Sequence, residues 1–263
     1  RGRIDETELA KDLLAWEADV KARGLRDLLG PSTKAALDAM LAGEPLTETG
    51  RNGTTNGAAM RIAPVGIATP VEPLTRFVDQ VELACRMTHN TGEAIAGAAA
   101  VAAMISCALD GRGFDASVQM ALHAAQEGQK RGHAVGETNM AARISDALSL
   151  VNGGSGINDL AAKTGTSVAS HESVAAAFGV VSLANADPWK TALFAANIGD
   201  DTDTIGAISG AMAGACTGIG AIPNDAIETL LAANSLHLDD TAHSLLKLRQ
   251  DTLAGSDLQG AGS

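Results

Sequence analysis

At 263 residues the chain can bury a substantial core in one or two domains. Its 19 Lys and Arg stand against 31 Asp and Glu, and a formal net charge of −12 argues against nucleic acid or an anionic membrane as partner. Aromatic residues are only 2% and Tyr is absent, so a core must be built from Ala, Leu, Ile and Val, with 29 Gly allowing helices to pack closely.

The chain begins Arg1-Gly2-Arg3 rather than with Met, which reads as a fragment or a processed chain, and no charged-then-apolar leader opens it. Leu9, Leu13, Trp16 and Val20 are spaced by four, three and four, which predicts a helix over 5–23 with Gly24 as its C-cap. Ser32, after Pro31, is expected to cap a short helix running to Leu41. A polar, glycine-rich loop follows over 43–57. Pro73 opens a helix carrying Phe77, Val81 and Leu83, and the uncharged, Ala-rich run 94–109 is expected at the centre of the fold. Further helices are predicted over 115–130, 139–151, 172–184 and 188–198. Pro223 restarts one more at an N1-like position, and 236–253 closes the fold. Residues 256–263 read as a flexible tail. No alternating run longer than four residues, no internal repeat and no linker emerges. The expectation is one all-α domain over 1–255.

Cys85, Cys107 and Cys216 form no CxxC pair and lie in apolar helical stretches, as reduced, buried thiols of a cytoplasmic protein would. Met60, Met104 and Met212 read as core filler. Residues 205–222 are uncharged over nearly the length of a membrane span. Their five glycines and modest apolar bulk favour a buried helix of a soluble fold. Four of those glycines, Gly206, Gly210, Gly214 and Gly218, recur every fourth residue and predict a ridge that lets a neighbouring backbone approach.

Directly before that segment stands Gly199-Asp200-Asp201-Thr202-Asp203-Thr204. Three carboxylates this close repel one another and lose solvation beside a buried helix. A helix start returns only ~0.3–1 kcal/mol per acid. A hard cation would remove the conflict, since Mg²⁺ and Ca²⁺ take carboxylate, hydroxyl and water oxygens. Asp201 and Thr204 can share one side of a first turn, and Asp203 joins them only if Asp201 lies before the helix. The alternative is an over-supplied N-cap.

A second candidate is the loop from Gly50 to Gly57, which runs into Ala58-Ala59-Met60-Arg61. Such a loop can offer backbone N–H groups to a phosphate, with Arg61 adding a charge-assisted bond. It is neither a Walker A loop nor a dinucleotide fingerprint, and a plain mobile loop is the alternative. A third is Thr88-His89-Asn90-Thr91-Gly92, whose lone His at a helix junction reads more readily as a capping or hydrogen-bonded residue than as a catalyst. His171-Glu172 starts like HExxH, but Ala175 closes off a zinc site. No GxSxG elbow occurs.

Together these motifs resemble the ADP-ribosylglycohydrolase family, which includes the dinitrogenase reductase-activating glycohydrolases. Asn56-Gly57-Ala58-Ala59-Met60-Arg61-Ile62-Ala63-Pro64 is similar to its NG-x-x-MR-x-AP loop. Thr88-His89 with Ala94 and Gly97 resembles its TH segment, and 199–218 resembles its GGDTDT helix. The resemblance implies a compact orthogonal multi-helix bundle, with two Mg²⁺ in a cleft that binds ADP-ribose. It implies hydrolysis of the glycosidic bond linking ADP-ribose to a protein side chain or small acceptor. By it Asp201, Asp203 and Thr204 would be metal ligands and the first two catalytic. Asn56, Gly57 and Arg61 would lie along the diphosphate, and His89 would face the ribose.

Two departures stand out. Asp200 replaces the second glycine of GGDTDT, and the family's N-terminal GD-x-x-G…E and Thr-Asp-Asp segments do not occur. Asp5 and Glu6 lack that pattern, and Asp239-Asp240-Thr241 comes too late in the chain. The expectation is an N-terminally truncated member, binding metal weakly and turning over poorly. A hydrolase of nucleosides or other small N-glycosides, and a non-catalytic ADP-ribose binder, are the other functions open to this pattern.

Overall fold

The computed structural model describes residues 4–25, 29–234, 236 and 238–260, the last six of these by backbone alone. α1 (Glu6–Ala22) begins where the Asp5 carboxylate accepts the Thr7 and Glu8 N–H groups, each at 3.1 Å. It ends at Gly24, φ 71°, with the Gly24 and Leu25 N–H groups returning to the Lys21 and Val20 carbonyls. Val20 is buried, but Trp16 of the predicted stripe is largely exposed. α2 (Pro31–Leu41) corrects one expectation. Gly30 holds the N-cap and Ser32 lies inside the first turn, because the fixed φ of Pro31 already opens the helix. A single turn, α3 (Leu46–Thr49), forms within the glycine-rich segment, followed by the short α4 (Gly57–Met60) and α5 (Ala63–Ala68).

α6 (Leu74–Cys85) buries Phe77, Val78, Val81 and Cys85. α7 (Gly92–Leu109) is the axis of the fold, with every residue from Gly92 to Cys107 buried. α4, α5, α6, α8 (Phe114–Gly128) and α13 (Thr202–Thr217) all pack on it. Small residues make that possible. A Cβ on Gly128 would sit 2.9 Å from the Ala96 Cα, and one on Gly66 would sit 2.7 Å from the Ala102 carbonyl oxygen. α7 is also long and apolar enough to cross a membrane by length and composition, yet 89% of it is buried among the other helices. α9 (Met140–Asn152), α10 (Ile157–Thr164), α11 (Ser170–Leu183) and α12 (Pro188–Asn197) complete the core side of the bundle.

α13 departs from its sequence reading. Its buried face is Thr204, Ile205, Ile208, Ser209, Met212 and Ala213, so the glycine row lies off the packed side. The uncharged run also breaks at Gly218, φ 75°, into a 3-10 turn, Ile219–Ala221, whose residues are not buried. Met104 and Met212 are core residues as expected, but Met60 is 47% exposed. Cys85 and Cys107 are buried and Cys216 half-buried, all free.

α14 (Asn224–Ala233) buries none of its residues. α15 (Leu238–Gly260) runs into the segment expected as a tail, whose residues 261–263 lie outside the described ones. Arg249 locks α15 down. Its guanidinium donates to Asp110 Oδ1 at 2.6 Å, to the Thr69 carbonyl at 2.9 Å and to Ser106 Oγ at 3.0 Å. Among the described residues there is no strand, only isolated bridges between Thr55 and Ala169 and between Thr91 and His133. The fold is an all-α multi-helix bundle.

Candidate functional site

The starts of α4, α7, α11 and α13 are tied together at one end of the bundle. Asn56, 5% exposed, stands just before α4. Its Nδ2 donates to Asp201 Oδ2 at 2.5 Å and to Ser173 Oγ, on the first turn of α11, at 2.9 Å. The Asp201 N–H donates to the Thr166 carbonyl at 3.0 Å, which fixes the turn before α13. Asp201 occupies the N-cap position without a side-chain capping bond. That disposes of the over-supplied cap for this residue. Its carboxylate points to Asn56 instead, and the Thr204 hydroxyl and the exposed Asp203 carboxyl both lie against it.

Burial pushes the Asp201 carboxyl above its ordinary range, and the Asp203 charge pushes the same way, against the hydrogen bonds from Asn56 and Thr204. Two carboxylates and a hydroxyl converging on one point form an all-oxygen donor set of the kind Mg²⁺ takes with water completing its shell. Among the described residues no cluster of three or more His, Cys, Asp or Glu side chains joins them. The donor set therefore suits one hard cation and falls short of a closed cage. Asp200 also has a geometric explanation. Its φ is 54°, beside Gly199 at 98°, a left-handed turn that favours glycine and that Asp tolerates better than most side chains.

The glycine-rich loop is pinned on three sides. The Asn90 N–H donates to the Gly50 carbonyl at 2.8 Å, and Thr91 Oγ1 donates to the Gly53 carbonyl at 2.7 Å. The Asn56 N–H donates to Val168 O, and the Ser170 N–H and Oγ donate to the Thr54 and Thr55 carbonyls. The mobile-loop alternative is thereby set aside.

His89 sits behind this loop rather than in front of it. It has no exposed surface, and its Nδ1 and Nε2 lie 2.7 and 3.0 Å from the Thr88 and Thr55 hydroxyls. Burial, with Arg61 adding, pushes its pKa down to about 3, so the ring is neutral. Gly57 makes room for it, since a Cβ there would sit 2.9 Å from His89 Cε1. Arg61 also turns inward. It donates to the Gly57 and Ala84 carbonyls, each at 3.2 Å, and to Thr88 Oγ1 at 2.7 Å, with burial lowering its pKa. The structure thus brings Asn56, Asp201, Asp203 and Thr204 together. Gly57, His89 and Arg61 support them from behind.

Sequence reading missed Ser173, Thr166 and the pair Glu93–His171. Glu93 Oε1, on the first turn of α7, accepts from His171 Nδ1 at 2.9 Å. Their 78-residue separation leaves no local signal in the chain.

Comparison with known proteins gives the relatives of the chain. The chain is 36% identical over 253 residues to YegU of Escherichia coli K12, spanning 95% of this chain and 75% of that protein. It is 31% identical over 212 residues to a protein of Archaeoglobus fulgidus, spanning 81% of this chain and 64% of the relative. A solved ADP-ribosylglycohydrolase-related protein complex superimposes with a TM-score of 0.61 at 25% identity, covering 94% of this chain and 74% of that one. The ADP-ribosylglycohydrolase family model matches residues 1–254. With the all-α bundle and the Asp201 site already in place, that match shows that the chain belongs to the ADP-ribosylglycohydrolase family.

Proposed function

We propose that this protein hydrolyses, with Mg²⁺, the glycosidic bond between ADP-ribose and a protein side chain or small acceptor. Family membership supplies the coarser part, a hydrolase of glycosidic bonds. The observation that carries the finer part is the 2.5 Å bond from Asn56 to Asp201, which joins the glycine-rich loop to the acidic helix start across 145 residues.

In this reading Asp201, Asp203 and Thr204 would hold the ion, which when bound polarises the site and activates water. Asn56 keeps the Asp201 carboxylate in one orientation, and Ser173 holds Asn56. The starts of α7, α11 and α13 direct positive dipole ends toward this end of the bundle, which favours an anionic diphosphate. The partner is an ADP-ribose-bearing protein or small molecule met in the cytoplasm, and the chain's acidity speaks against nucleic acid and membrane.

One observation favours a second reading. Arg61 directs its Nη groups to the Gly57 and Ala84 carbonyls and to Thr88, so it presents no free fork to a diphosphate. A nucleoside or other small N-glycoside would need none.

The deciding experiment is titration of ADP-ribose into the protein with Mg²⁺ and then with EDTA, followed by hydrolysis of ADP-ribosylated arginine, serine and carboxylate ester. Mg²⁺-dependent binding and turnover, both lost in Asp201→Ala, are expected. Undiminished turnover in that variant would sink the assignment. Turnover of nucleosides alone would select the second reading.

A further inference from the structure

Residues 165–169 join α10 to α11 and form neither helix nor strand. With no ladder of their own, their backbone groups must find partners elsewhere. Two of their carbonyls go to the candidate site. Thr166 O accepts the Asp201 N–H at 3.0 Å, and Val168 O accepts the Asn56 N–H at 2.9 Å. A third, Ala169 O, accepts the Ser173 hydroxyl at 3.0 Å, and Ser173 Oγ in turn accepts from Asn56 Nδ2 at 2.9 Å. With its proton committed to Ala169, Ser173 can only accept, which turns the NH₂ group of Asn56 toward both Ser173 and Asp201. One short connection thus sets both ends of the bond between Asn56 and Asp201.

Two ionised side chains hold the connection itself. Arg143, near the start of α9, donates through Nη2 to the Thr164 carbonyl, which the end of α10 leaves without a helical partner. Its Nε donates to the His171 carbonyl at 3.4 Å, so one guanidinium spans the connection from end to end. Glu172, in the first turn of α11, folds back, and its Oε2 accepts the Ser167 N–H at 3.0 Å. Gly165, φ 74°, leaves the room for this, since a Cβ there would overlap the Glu172 carboxylate. Hydrogen bonding from Ser167 holds the Glu172 carboxyl below its ordinary range against its burial, and the Arg143 charge adds to this. Among the described residues neither side chain hydrogen-bonds Asn56 or Asp201.

We propose that Arg143 and Glu172 are positioning residues of the candidate site, holding the 165–169 connection so that its carbonyls set Asp201 and Asn56 against each other. Arg143 fixes the two ends of the connection and Glu172 its middle, and both act on the site through Thr166, Val168 and Ala169. Placement counts at this scale, because a misplacement of about 1 Å in a reacting group can cost on the order of a hundredfold in rate. The inference rests on the reading of Asn56 and Asp201 as the site and extends it to residues that touch neither ion nor substrate.

The test is amide hydrogen exchange by NMR in the full chain, together with the side-chain NH₂ signal of Asn56. In Glu172→Ala the Asp201 and Asn56 backbone amides should exchange about tenfold faster or more, and the Asn56 NH₂ signal should move. The Ala100 amide, in the middle of α7, reports global opening and should change far less. Glu172→Gln, which keeps an oxygen for the Ser167 N–H, should restore most of the protection. Arg143→Lys is the gentler second variant. Its single ammonium cannot span the Thr164 and His171 carbonyls, so the same pattern is expected at smaller amplitude. Unchanged exchange at Asp201 and Asn56 in folded Glu172→Ala and Arg143→Lys overturns the proposal. So does acceleration that is equal at Ala100, the sign of a loss of stability alone. The readout needs neither Mg²⁺ nor substrate, so its failure is distinct from a failure of the hydrolase reading, which shows in turnover by Asp201→Ala.

Discussion

Two sets of glycines look alike in this chain and meet opposite surroundings. In the loop before α4, a Cβ on Gly50 would sit 2.3 Å from the Arg86 carbonyl oxygen, and one on Gly53 would sit 2.2 Å from that of Thr88. On α13, Gly206 has only the Ala195 Cβ at 3.7 Å, and Gly210 and Gly214 have no described atom within 4 Å. The regular row reads as a packing ridge from its spacing, whereas the irregular loop reads as equally compatible with mobility. Spacing tells which glycines share a face. What the face meets depends on tertiary placement, and here the irregular set is the packed one.

The sharpest way to break this comparison is Gly53→Ala. The atoms in the way are backbone, which cannot swing aside, so a loss of about 3 kcal/mol or more is expected. The check is the denaturant midpoint at unchanged slope. A loss below about 1 kcal/mol would mean that the loop yields and is not the rigid partner.

Behind the same loop, His89 gives the next effect. Burial lowers its pKa from the ordinary 6.5 to about 3. A depressed histidine contributes stability that is fully present above the unfolded value and is lost as pH falls. Stability at pH 5 should therefore be about 2 kcal/mol below that at neutral pH from this residue alone. In His89→Gln that acid-side slope should vanish while the remaining carboxylate-driven slope below pH 4 persists. An unchanged slope between pH 6.5 and 4 would place the ring in solvent.

Asn56 joins the two regions, because its amide is the bond between the loop and the start of α13. Asn56→Ala should cost about 1–2 kcal/mol by removing the donor to Ser173 Oγ and one of the two donors to the Asp201 carboxylate. Removing that bond should also raise the Asp201 pKa further, readable by carboxyl NMR. A raised carboxyl favours the protonated form, so the variant should lose additional stability as pH rises through the Asp201 titration. Loss of Mg²⁺ affinity in this variant with the fold intact would tie the bond to the proposed site.

These tests also mark where the sequence was readable. The Ala-rich run 94–109 announced the central helix because a stretch without charge or bulk can only be interior. Asp201, Asp203 and Thr204 were legible because three acids before an apolar helix conflict locally. The orientation of Arg61 was not legible, because the same loop-to-helix pattern can turn a guanidinium toward a ligand or onto the carbonyls of Gly57 and Ala84. Ser173 and the Glu93–His171 pair lie on separate helices that only tertiary packing brings together. α10 escaped because it is eight residues long, too short for its periodicity to stand out.

The smallest effect tests the other half of the comparison. Gly210 and Gly214 have ordinary backbone angles and open space where a side chain would go. Alanine there removes unfolded-state freedom and improves helix propensity at no steric cost. Gly210→Ala and Gly214→Ala should each stabilise the protein by about 0.5–1 kcal/mol. Thermal midpoints of the two single variants and the double variant check this, with near-additive gains expected because the sites share no partner. A loss of more than about 1 kcal/mol would mean that the α13 row is covered after all. The packing ridge read from the sequence would then be right, and the placement off the packed side would be wrong. Gain in both variants, beside a severe loss in Gly53→Ala, would show that in this fold the irregular glycines hold the site together.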